Sequence, residues 1–207
     1  RGAWRPRMLF LNHCQGVTVQ GLTFRNSPCW NLHPYFSQDL KFLNIHVTAP
    51  SHSPNTDGFD PESCTNILLA GMHFSTGDDC IAIKSGTELT PEKDCSERII
   101  ITNCHFIRGH GGVVLGSEMS GGVRNVAVSS CVFSGTDRGV RLKTRRGRGG
   151  KVEGVNSGRI HGAGVRVYLG FRGVYVYTND TSREGLLACA KRAASALHAD
   201  SRMTAKP

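Results

Sequence analysis

"ILLAGMHF" at residues 67–74 and "IIITNCHF" at 99–106 are two copies of one pattern. Three more copies flank them: "VTVQGLTF" at 17–24, "LKFLNIHV" at 40–47 and "VAVSSCVF" at 126–133. Their starts are 23, 27, 32 and 27 residues apart. Within each copy, apolar residues alternate with others, as in a strand with one buried face. Four columns are apolar throughout: Val17/Leu40/Ile67/Ile99/Val126, Val19/Phe42/Leu69/Ile101/Val128, Leu22/Ile45/Met72/Cys104/Cys131 and Phe24/Val47/Phe74/Phe106/Phe133. Between the second and third columns stands Gly21, Asn44, Gly71, Asn103 or Ser130. These are turn formers, and Gly and Asn tolerate positive φ. A shorter apolar strand follows later in three of the repeats, "CIAIK" 80–84, "GVVLG" 112–116 and "GVRLK" 139–143. Several strands per repeat at this period describe an all-β solenoid, a parallel β-helix. The LxxLxL pattern of a leucine-rich horseshoe is missing, and a propeller blade needs about 40 residues.

The same alignment places the polar residues. Asp78 and His110 lie 11 residues into their coils, and Arg141 and Lys143 lie 15 and 17 into theirs. Asp57 lies 17 into a coil lengthened by "APSHSP", residues 49–54, so it belongs near position 13. Stacked coils are about 4.8 Å apart. Asp57, Asp78, Asp79, His110, Arg141 and Lys143 are therefore expected to line one outer groove across four coils. The neighbouring glycines are read as keeping the backbone open to a ligand. Clustered carboxylates push one another's proton affinity up, which suits a general acid paired with a general base. Such a pair stands roughly 6.5–9.5 Å apart when water attacks a glycosidic carbon directly. Arg141 and Lys143 suit a substrate carboxylate.

Bulk composition agrees. The chain has 207 residues, 25 of them glycine, and a formal net charge of +9. About 12% glycine, against roughly 7% on average, suits many tight turns. A net positive charge favours a polyanionic partner. The basic run Arg141, Lys143, Arg145, Arg146, Arg148, Lys151 carries none of the aromatics that stack on single-stranded nucleic acid, so an acidic polysaccharide is expected and nucleic acid is not. No apolar run is long enough to span a membrane. Eight cysteines without a CxxC pair do not describe a zinc site. Cys104 and Cys131 share an apolar column and are read as stacked thiols before a bridge, while Cys80 could join a disulfide of unnamed partner. Asp60, in the same loop as Asp57, reads as structural at a strand end. Trp30 and His33 read as packing. Lys84 shares the offset of Lys143, so it either reaches the groove or lies on the surface. "SGTELTPEKDC", 85–95, is placed to wall the site.

"NTDGFD" 55–60, "GDDC" 77–80, "GHGG" 109–112 and "RLK" 141–143 together resemble, in order and spacing, the four signature motifs of the polygalacturonase family of glycoside hydrolases. "NSPCWNLHP" 26–34 resembles the segment that precedes them, and the likeness covers about residues 5–150. It implies a right-handed parallel β-helix that hydrolyses α-1,4-galacturonosyl links of pectin by single displacement, with inversion and with no cofactor or metal. It also implies Asp78 as general acid and Asp57 and Asp79 as holders of the attacking water. His110 would stand beside the acid, Arg141 and Lys143 would bind a galacturonate carboxylate, and Asn55 would shape the site. Homogalacturonan as partner, a monomeric state and a secreted, cell-wall or periplasmic location follow from the same resemblance. The family's usual "RIK" reads "RLK" here. Two other readings compete: a non-catalytic, degenerate carbohydrate-binding member of the family, and a Ca²⁺-dependent β-helix lyase.

After "RRGRGG", 145–150, the coil pattern fades, so 1–150 reads as a catalytic β-helix region and 151–207 as a divergent segment, partly helical or disordered. "VEGV" 152–155 resembles a strand start, "HGAGVRVYLGFRGVYVYTND" 161–180 matches no column, and 183–199 reads as a helix. The solenoid is expected to be incomplete at both ends. A shifted reading frame, a truncated chain or a variant tail would each produce that break.

Overall fold

A computed structural model of the chain describes residues 5–143, 163–169, 172–178 and 180–203. The chain divides into two compact units, Arg1–Lys151 and Val152–Pro207.

The first unit is a parallel β-helix. One five-stranded sheet runs through Thr18–Gln20, Gln38–Leu43, Thr65–Ala70, Ser96–Thr102 and Val123–Ser129, one strand from each repeat. A second takes Thr23–Arg25, His46–Thr48, His73–Ser75, His105–Arg108 and Val132–Phe133. A third face is formed by Leu9–Asn12 beside Leu32–Tyr35, and by Ile81–Ile83, Val113–Gly116 and Val140–Lys143. Single bridges from Leu32 to Phe59 to Ile81, and from Tyr35 to Glu62 to Lys84, join these two groups. Every pairing between coils is parallel.

The apolar columns stack as their alternation predicts. Leu40 pairs Ile67, Ile67 pairs Ile99, and Ile99 pairs Val126. Phe74, Phe106 and Phe133 form a ladder that runs from the core to an exposed end at Phe133, with stacked rings 5.6 and 4.6 Å apart. Phe42, Phe59, Phe74 and Phe106 are fully buried, so each contributes a large apolar area as well as ring contacts. Truncating Phe106 to alanine removes two ring contacts and opens a cavity.

Each coil bends after its first strand at the turn residue, where Gly21, Asn44, Gly71, Asn103 and Ser130 have φ of 68, 52, 66, 53 and 53°. A second left-handed column, not singled out in the sequence, falls at the start of the same strand, just before it at Gly16 and within its first three residues at Asp39, Asn66, Arg98 and Asn125. Asp39 accepts a hydrogen bond from the Asn66 amide at 2.5 Å, which joins two neighbouring members of the column through their side chains.

The second unit holds an antiparallel pair, Ala163–Leu169 with Arg172–Thr178, and a helix, Arg183–Met203. The helix is where the sequence puts it. The antiparallel pair falls in 161–180, the stretch whose sequence matches no coil column. Its signal is alternation on both sides of Gly170–Phe171, a pattern hidden when only the coil period is sought. Ser182 caps the helix, its hydroxyl accepting from the Gly185 N–H at 3.0 Å. Gly185, Cys189 and Ala193, four residues apart, form its buried stripe, and the Cys189 thiol donates to the Val176 carbonyl at 3.4 Å. "VEGV" and the basic residues Arg145, Arg146, Arg148 and Lys151 lie outside the described residues.

Candidate active site

The third face carries the chemistry. Asp57, Asp78 and Asp79 converge there, with one carboxylate oxygen of each within 4.8 Å of the others. That is closer than the 6.5–9.5 Å expected of an inverting pair. The two loops that supply them are laced together. The Asn55 N–H donates to Asp78 Oδ2 at 3.2 Å, and the Gly77 N–H donates to the Thr56 hydroxyl at 3.1 Å. Asp78 is further held by the Asp79 N–H at 2.9 Å. Beneath them the buried Asn31 amide donates to the Asp57 carbonyl at 3.0 Å, and Arg5 donates to the Asn55 side chain at 2.6 Å. Neither Asn31 nor Arg5 was picked out in the sequence. Asn31 sits inside the quoted "NSPCWNLHP" stretch, whereas Arg5 carries no local signal.

The glycines serve a different purpose from the one read in the sequence. A Cβ on Gly77 would strike the carbonyls of Pro50 and Ser53, and one on Gly58 would strike the Cys80 carbonyl and the Phe74 ring. One on Gly111 would strike Val114 and come within 3.1 Å of Asp79 Oδ1. The space these residues leave is filled by protein, so they let loops and coils close up rather than admit a ligand.

The cations arrive as expected. Arg141 pairs with Val114, and Lys143 with Gly116, in the last strand pair of this face. Lys143 Nζ stands 2.9 Å from Asp79 Oδ2, and Arg141 stands 3.9 Å from Oδ1. His110 Nδ1 lies 3.3 Å from Asp78 Oδ1, and its N–H donates to the Asp78 carbonyl.

Burial divides the acids. Asp79 is fully buried and Asp57 is 4% exposed, whereas the Asp78 side chain is 20% exposed. Burial raises the Asp57 pKa to about 7; Lys84 opposes that rise, and Asp78 and Asp79 add to it. Near neutral pH, Asp57 is thus a carboxyl poised between its two forms. The three oxygens are also close enough to surround a divalent cation, but Lys143 and Arg141 already bring positive charge to Asp79.

Lys84 is neither a groove residue nor a surface one. It is 3% exposed, paired to Glu118 at 2.9 Å and to Asp60 at 3.7 Å. Asp60 is buried as its strand-end reading requires. His33 is buried against Trp30, with ring centroids 4.9 Å apart, so both do pack. Thr90, from the 85–95 loop, lines a cavity of about 620 Å³ on the same face with Arg7, Phe10, His33, Tyr35 and Glu62. Cys80 carries no disulfide; its thiol donates to the Arg108 carbonyl at 3.2 Å. Cys104 and Cys131 are free thiols as well.

Comparison with known proteins points to one family. The family described as "Glycosyl hydrolases family 28" matches residues 1–176, beyond the point at which the coil pattern fades from the sequence. A probable polygalacturonase of Vitis vinifera is 37% identical over 158 residues, covering 73% of this chain and 31% of that protein. An endo-polygalacturonase of Pectobacterium carotovorum subsp. carotovorum is 36% identical over 157 residues, covering 75% and 37%. The crystal structure of a hyperthermoactive exopolygalacturonase from Thermotoga maritima aligns with a TM-score of 0.65 at 40% identity, covering 70% of this chain and 33% of that one. The chain spans about a third of the length of the curated relatives it matches. A repeat of parallel coils, an acid trio with its two cations and a family match over most of the chain lead to one conclusion: this protein belongs to glycosyl hydrolase family 28.

Proposed function

We propose that the chain carries the catalytic face of a pectin-degrading hydrolase that cleaves α-1,4-galacturonosyl links of homogalacturonan. The carrying observation is the meeting of Asp57, Asp78 and Asp79 within 4.8 Å, beside Lys143 and Arg141. In this reading Asp78, the most accessible of the three, delivers a proton to the leaving oxygen, with His110 beside it. Asp57 and Asp79 hold the attacking water, and Asn55 fixes the Asp78 carboxylate through its N–H. Arg141 and Lys143 receive a galacturonate carboxylate, each already oriented by Asp79. In the free groove Asp57 retains its proton up to near neutral pH, because burial raises its affinity to about 7. Catalysis then requires that proton to pass to Asp78, so that Asp57 can take a proton from the attacking water while Asp78 gives its own to the leaving oxygen. A pectic substrate would place the protein outside the cytoplasm.

The test is release of reducing ends from polygalacturonate, with Asp78→Asn in parallel. The variant should lose about 10²–10⁴-fold in kcat. A folded wild-type chain with no activity, in the presence or absence of calcium, would favour the non-catalytic reading. Activity that disappears with a chelator would favour the lyase.

Single displacement is the family's stereochemistry, but an oxygen separation within 4.8 Å lies nearer the roughly 5–5.5 Å of retaining enzymes. Proton NMR of the first anomer formed separates the two. An inverted product supports single displacement; a retained one would overturn it and leave the hydrolase standing.

A further inference from the structure

Lys84 is the described cation most deeply set behind the acids, and nothing in substrate binding calls for it. Its ammonium is 2.9 Å from Glu118 Oε2, 3.7 Å from Asp60 Oδ1 and 4.7 Å from the centroid of the Trp30 ring. Asp60 is fully buried, and neither of its oxygens has a hydrogen-bond partner. Trp30 belongs to the coil next to Asp57, since the Asn31 N–H donates to the Asp57 carbonyl. Lys84 is thus buried between Glu118 and Asp60 and lies over Trp30, the residue next to the Asn31 that bonds Asp57.

We propose that Lys84, clamped between Glu118 and Asp60, is a positioning residue that sets the pH at which Asp57 gives up its proton. Four groups act on Asp57. Lys84 favours its anion, while Asp60, Asp78 and Asp79 disfavour it. Behind Asp79 stand Lys143 and Arg141, and against Asp78 stands His110. Lys84 in turn faces Asp60, Glu118 and Asp57, and its charge is felt by His33, which also faces Glu62 and Arg7. The attraction of its neighbouring acids outweighs burial, so Lys84 stays protonated. Glu118 stays ionised, its pKa lowered to about 2. The ion pair is therefore a fixed dipole whose positive end, Lys84, favours the Asp57 anion and whose negative end is Glu118.

The two ends make opposite predictions. Removing the positive end in Lys84→Met should raise the Asp57 midpoint by about one pH unit, since a single nearby charge is worth one to three. Removing the negative end in Glu118→Gln leaves the ammonium uncompensated and should lower it. Lys84→Arg keeps the charge and should stay near wild type. A merely structural role would not shift the two variants in opposite directions.

The experiment is a carbon-13 NMR titration of aspartate carboxyls in the whole chain, with Asp57 assigned by the resonance lost in Asp57→Asn. Opposite shifts in Lys84→Met and Glu118→Gln support the proposal. An unmoved Asp57 midpoint in folded Lys84→Met would overturn it. If that variant does not fold, Glu118→Gln decides: a downward shift supports the proposal, and no shift or an upward one sinks it. The catalytic meaning rests on the hydrolase reading, in which the acidic limb of kcat/KM should follow the same shifts. A chain without activity would remove that reading and leave the titration result standing.

Discussion

Asp57 and Asp78 are neighbours in the same trio, yet they belong to different worlds. Asp57 is on the floor, 4% exposed, in front of the Lys84–Asp60–Glu118 network. Asp78 is on the rim, its side chain 20% exposed, held by two backbone N–H groups and touched by a half-exposed His110. The floor acid is controlled by burial and fixed charges; the rim acid is controlled by hydrogen bonds and solvent. One groove therefore holds a buried carboxyl and a partly exposed one side by side, without a change of residue type.

The largest effect that could break this comparison is on stability. Moving a buried carboxyl from 3.8 to about 7 is worth about 4 kcal/mol. A raised value in the folded state means stability that is fully present below pH 3.8 and is lost as pH rises through 7. Asp60, held well above its ordinary value by burial, adds to that loss. Glu118, lowered from 4.5 to about 2, acts the other way and withdraws stability as pH falls through that interval. Denaturant unfolding should thus show greatest stability near pH 4–5 and a decline toward pH 8. Asp57→Asn, a copy of the protonated form, should match wild type at pH 4 and exceed it at pH 8 by as much as about 4 kcal/mol. Equal stability at both values would show that the floor acid is not held protonated by burial.

Lys143→Ala tests the edge between floor and rim. Losing an ammonium that bonds a charged group at 2.9 Å should raise KM for polygalacturonate by about tenfold or more. A change confined to kcat would mean that Lys143 serves the transition state alone. The smallest effect is expected at the rim. His110 is 54% exposed in its side chain, and such surface pairs are worth about 1 kcal/mol or less. His110→Ala should cost less than about tenfold in kcat/KM. A loss as large as that of Asp78→Asn would move His110 into the proton transfer itself.

What could be read from the residues and what could not follows the same division. The coils were legible because apolar alternation repeats with turn formers at one fixed place. The turn after the first strand shows in Gly21, Asn44, Gly71, Asn103 and Ser130. The left-handed position at the start of that strand does not, because Arg98 interrupts the Gly, Asp and Asn that would advertise it. The rim and the two cations follow from counting along each coil. The floor does not: Lys84 and Lys143 share the offset of 17, but only Lys84 has Glu118 and Asp60 closing around it, and a count along one coil cannot see the next. The hairpin of the second unit shows the opposite limit, where a search tuned to one period passes over a different alternation.

The strand register has a further consequence, for how this chain tolerates change. Site residues are placed by the rung they occupy, not by their distance along the chain. The "APSHSP" segment lengthens one rung and "SGTELTPEKDC" another, yet Leu40 still pairs Ile67, Ile67 still pairs Ile99, and Asp57 still meets Asp78. Insertions that bulge between strands are absorbed where they arise, while a single residue gained within a strand would turn every side chain beyond it to the opposite face. Over evolutionary time the walls of the groove are free to grow, shrink and be exchanged. The floor is not, and selection for a new substrate would be expected to write its changes between the strands.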